Sequence, residues 1–73
     1  MGAALYEEDD RSSQLKELYR LIGRLNRFDR ALILLWLEER SYAEISEIMG
    51  ITKSNVAVKL MRIKERLQRM SEE

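Results

Sequence analysis

Six cations crowd the end of the chain. Lys53, Lys59, Arg62, Lys64, Arg66 and Arg69 fall between Thr52 and Met70, where the one acid is Glu65. Such side chains grip anions and donate hydrogen bonds, and that is chemistry of binding. Covalent catalysis has little to work with: there is no His and no Cys, so the commonest general base and the commonest metal ligands are missing. The acids fall in helix caps and polar stretches without converging, so the chain is read as no enzyme, with no metal and no cofactor. Formal net charge is zero over 73 residues, because Glu7-Glu8-Asp9-Asp10 and other acids balance the basic end. An acidic start and a basic finish make a polar molecule with one anion-seeking face.

The elements that must present these cations are helical. Proline is absent and glycine occurs only at positions 2, 23 and 50. Residues 1–12 lack periodicity and read as a flexible acidic lead-in. Residues 13–73 read as one domain of four helices, near 13–25, 27–39, 42–49 and 53–70. Ser12 or Ser13 opens the first, with Leu15, Leu18, Tyr19, Ile22 and Leu25 as its apolar face. Gly23 interrupts that pattern and reads as a point of close packing. Asn26 with Asp29 caps the second helix. Its apolar residues run nearly all round, from Phe28, Ala31 and Leu32 to Trp36 and Leu37, as suits a central helix. Ser41-Tyr-Ala-Glu44 is a capping box, followed by Ala43, Ile45, Ile48 and Met49, and Gly50 stops the short helix it opens. Thr52 caps the last helix, whose stripe Val56, Leu60, Ile63, Leu67 and Met70 advances in steps of four, three, four and three.

A capped short helix, a turn around Gly50 and a capped basic helix form the helix-turn-helix pattern. Ala43 reads as small because the last helix crosses close to it, and Ile51 as the plug between the two. The last helix is then free to enter a major groove by its first turns. Thr52, Lys53 and Ser54 suit a phosphate, since unpaired amides and a cation meet there. Asn55 and Arg62 can hydrogen-bond base edges, and Ala57, Val58 and Met61 can meet thymine methyl groups. Lys59, Lys64 and Arg66 fall over backbone phosphates, which give affinity without sequence information. For Val58 and Met61, packing against a neighbour is the competing reading. Tyr42 and Trp36 read as packing residues.

The runs Asp29-Arg-Ala-Leu-Ile-Leu-Leu-Trp-Leu-Glu, Ser41-Tyr-Ala-Glu-Ile-Ser-Glu-Ile-Met-Gly-Ile and Asn55-Val-Ala-Val-Lys-Leu-Met-Arg-Ile-Lys-Glu-Arg-Leu together resemble region 4 of bacterial sigma factors. The likeness is to the extracytoplasmic-function group of the sigma-70 family and covers about residues 13–70. It implies recognition of the promoter minus-35 element, docking on the β flap of RNA polymerase, and silencing by an anti-sigma protein. Carried over by position, Ala57, Val58, Met61 and Arg62 face bases, with Lys53, Ser54, Lys59 and Lys64 near phosphates. Two positions depart from the pattern: Asn26 stands where the family often has Pro, and Ala57 where it often has Arg. The second implies a different promoter preference. Region 2 of such factors has no room here, so the chain reads as a carboxy-terminal domain parted from its parent, or as a free-standing homologue.

Two other readings compete. One is the DNA-binding effector domain of a response regulator, which shares the skeleton. The other is a protein-interaction module that uses the apolar second helix and ignores DNA; self-association through Leu34, Leu37 or Trp36 is a separate expectation. The longest apolar run, Ala31 to Leu37, is too short for a membrane span, and a cytoplasmic location is expected, with no membrane partner and no small-molecule substrate.

Overall fold

The computed structural model describes residues 13–73, so the acidic run at 7–10 and the lead-in it belongs to lie outside the described residues. Four helices follow one another: α1 (13–22), α2 (Arg27–Leu37), α3 (Tyr42–Met49) and α4 (Lys53–Ser71). No strand occurs among the described residues. α2, α3 and α4 pack on one another pairwise. α1 lies beside the carboxy-terminal turns of α4, where Leu18 and Leu21 share a groove with Leu67. The core is aliphatic: Leu21, Ile22, Leu25, Leu32, Ile33, Ile45, Val56, Leu60, Ile63 and Leu67 are buried, and among the described residues no polar side chain joins them.

The caps follow from the residues that make them. Asn26 Oδ1 accepts from the Asp29 amide at 2.9 Å, and the Asn26 amide group donates to the Asp29 carboxylate at 3.2 Å. At α3 both halves of the capping box form: the Glu44 amide donates to Ser41 Oγ, and the Ser41 amide donates to Glu44 Oε1. Gly50 then turns left-handed, at φ 71°, and the Ile51 amide closes on the Ser46 carbonyl. A side chain there would be strained, so glycine is what the turn requires.

Several expectations need correcting. The inward face of α1 is Leu21 and Ile22 with the half-buried Leu18, and Leu25 is buried in the turn beyond; Leu15 and Tyr19 are more than half exposed. Both stripes satisfy the same helical period, and the one facing α4 wins because that is where the apolar neighbours stand. α1 stops at residue 22, so Gly23 lies in the turn beyond it. A Cβ on Gly23 would meet only the carbonyls of Tyr19 and Arg20, so no neighbouring helix demands the glycine. Ala43 is exposed, and Ile48 is 57% exposed, leaving Ile45 as the one buried residue of α3. Close crossing is therefore not the reason for the small side chain at 43. α2 ends at Leu37 through a left-handed Glu39 (φ 66°). The Glu39 amide bonds the Trp36 carbonyl and the Arg40 amide the Leu35 carbonyl, a Schellman closure built without glycine.

Candidate nucleic-acid interface

The interface begins with how α4 is held. Val56, Leu60, Ile63 and Leu67 are buried, and Met70 packs half-buried on the same core, so the predicted stripe does face inward. Thr52 caps the helix, its Oγ1 accepting from the Asn55 amide at 3.1 Å. That hydroxyl keeps its own proton and can still donate to an anion. In the turn before it, Ser46 Oγ donates to the Ile51 carbonyl, which ties α3 to the loop that launches α4. Ile51 is half-buried and packs against the core, as its expected role of plug requires.

Around α4 each residue turns the helix by about 100°. Opposite the buried stripe stand Ser54, Val58, Met61 and Arg62. Val58 is 41% and Met61 55% exposed, so among the described residues neither is packed away against a neighbour. Apolar side chains left in water beside Arg62 and Ser54 are matched by a partner with both methyl groups and acceptors. Asn55, Ala57, Lys53 and Thr52 are also exposed. The polar candidates of the first turns therefore share one accessible end of the helix.

The cations behave less uniformly than their spacing suggests. Arg62, Arg66 and Arg69 line one groove with Lys59, Ile63, Glu65 and Asp29. Lys59, however, is half-buried, and its Nζ sits 5.1 Å from the centre of the Phe28 ring. Lys64 leans the other way, with Nζ 3.9 Å from the centre of the Trp36 ring. Lys59 thus borders the arginine groove while leaning back onto α2, and Lys64, which is exposed, stands on the other side of the helix. Each lies along a different flank of α4, its stem on apolar surface and its charge over an aromatic face.

Sequence reasoning missed Arg24, which joins Arg66 and Arg69 across a second groove beside Met70 and Glu73. It stands in the turn after α1, 42 positions from Arg66 in the chain, and only the fold brings them together. Two carboxylates at structural positions are perturbed. Glu44 is held below the usual range by the Ser41 amide, then by the Ser41 hydroxyl, with Arg40 adding charge attraction. Glu17 is lowered by its hydrogen bond to Arg20. Both are exposed caps or pairs, far from acid–base machinery. No cluster of acids able to hold a metal occurs among the described residues.

A short capped helix crossed by a long, outward-facing basic helix defines a helix-turn-helix DNA-binding domain. Residues 15–67 match the family Sigma-70, region 4, and the chain belongs to that family. The match takes in α2 and α3 whole, most of α1, and α4 as far as Leu67. Comparison with curated proteins and with solved structures finds no significant match. Region 4 is a promoter-binding domain of transcription initiation, and the family is a DNA-binding one with no catalytic role. No helix among the described residues is long and apolar enough to cross a membrane.

Proposed function

We propose that this domain recognises the minus-35 element of promoters of the extracytoplasmic-function type, reading it with the first three turns of α4. The observation that carries this is the exposed set Ser54, Val58, Met61 and Arg62 on the face of α4 opposite its buried stripe, with the exposed Asn55 on the flank beside it. In this reading Asn55, Ala57, Val58, Met61 and Arg62 face base edges. Arg62 suits a guanine and Asn55 an adenine. Thr52, Lys53, Ser54, Lys59, Lys64 and Arg66 meet phosphates. Ala57 supplies only a methyl contact, which shifts discrimination onto Arg62 and Asn55.

RNA polymerase is the second partner, through its β flap. The half-buried Trp36 and Leu37, with the exposed Tyr42, give apolar surface for it at the α2–α3 junction. An anti-sigma protein covering either surface would silence the domain. The work is done in the cytoplasm, where promoter and polymerase meet. Membership of the sigma family favours this over a response-regulator effector domain.

A competition assay with duplexes varied one base pair at a time tests the reading. Arg62→Ala should relax discrimination at one position by about 1–3 kcal/mol, whereas Lys59→Ala should weaken all sequences alike. With four to five phosphate cations engaged, log affinity against log salt should slope at roughly −3 to −5. Equal, sequence-blind losses for both variants would remove Arg62 from the reading face. A flat salt response would favour a protein-interaction module that does not bind DNA.

A further inference from the structure

Lys59 and Lys64 are five residues apart and so about 140° apart around α4. Their Nζ atoms rest over rings at opposite ends of α2, Phe28 in its first turn and Trp36 in its last. A helix inserted in a major groove has one phosphate backbone on each side, because the groove, about 12 Å wide, is walled by the two strands. We propose that Phe28 and Trp36 are positioning residues for backbone binding, each holding one lysine ammonium at a set station on one flank of α4. This rests on the reading of α4 as the groove-entering helix.

The chemistry of the prop matters. A carboxylate partner would hold a lysine equally well but would neutralise it and compete with phosphate. An aromatic face attracts the cation through its quadrupole and leaves the net charge intact. The ammonium keeps N–H donors pointing away from the ring, where an anion can take them. A lysine stem loses much rotamer freedom when its head is fixed, and the ring has restricted it before DNA arrives. Phe28 and Trp36 are only partly buried against the core, so a ring face remains for this use.

A double-mutant cycle on a random-sequence duplex at several salt concentrations is the test, with a urea midpoint recorded for every variant. Phe28→Leu should weaken binding about two- to fivefold. The salt slope should not change, because Lys59 still reaches its phosphate. Phe28→Tyr should restore the affinity. Lys59→Met should weaken binding and also shorten the slope by about 0.9. In the Lys59→Met background, Phe28→Leu should cost nothing further. Trp36→Leu with Lys64→Met forms an independent second cycle should Phe28→Leu prove too unstable. Losses that simply add, or tighter binding once a ring is removed, would overturn the positioning role while leaving DNA recognition intact. Absence of DNA binding by the unaltered chain at low salt would overturn both.

Discussion

Ile45→Ala probes how α3 is tied to the body that presents α4. Ile45 is completely buried and is the one buried residue among the eight of α3. Truncating a buried isoleucine to alanine costs about 2–5 kcal/mol, from lost transfer energy and the cavity left behind. A chain of 73 residues has a total stability of about 4–11 kcal/mol. One side chain therefore holds a large share of the whole. The remainder of α3 offers little compensation, since Ala43 and Ile48 face solvent and Met49 is only half-buried. Urea unfolding followed by circular dichroism should show the midpoint falling steeply for Ile45→Ala. Ile45→Val should cost only about 0.5–1.5 kcal/mol. DNA affinity of Ile45→Val, measured where the variant is fully folded, should match the unaltered chain. A loss below about 1 kcal/mol for Ile45→Ala would show that α3 is anchored by something other than this packing.

Glu39 sits at φ 66° in the Schellman closure of α2, a conformation that costs a side-chain-bearing residue about 1–2 kcal/mol. Glu39→Gly should therefore stabilise the domain by about 1 kcal/mol, raising Tm by about 4–8 °C in a scanning calorimeter; an unchanged or lower Tm would contradict the strain. Glu44 in the capping box has its pKa lowered by the Ser41 amide. The unfolded chain takes up that proton first, so the stabilisation is complete above the ordinary glutamate value, about 4.3. It is lost as pH falls through the lower folded value. Glu44→Gln should flatten that part of the pH–stability curve, and an unaltered curve would show that the box carries no linkage.

What could be read from the chain was what its neighbours in sequence decide. Asn26, Ser41, Thr52 and Gly50 act on backbone groups within a few residues, so the starts of α2, α3 and α4 and the stop of α3 were legible from type and spacing. The stripe from Val56 to Leu67 was legible for the same reason: a single period fits it. The face of α1 was not, because stripes through Leu15 and Tyr19 or through Leu21 are equally periodic and only the position of α4 selects between them. Glu39 carried no signal, since the left-handed closure is usually marked by glycine. The ring contacts of Lys59 and Lys64 were not legible, because Phe28 and Trp36 come to them from another helix. Arg24 was invisible for that same reason.

The most direct measurement is a titration of the isotope-labelled chain with promoter-like duplex DNA at low salt, followed by amide chemical shifts. The largest changes should fall on residues 52–62, from the Thr52 cap through Arg62, with α1 unmoved apart from the turn at Arg24. Shifts concentrated on the Leu15–Tyr19 side of α1, or none on the outward face of α4, would contradict the assignment of that face to DNA.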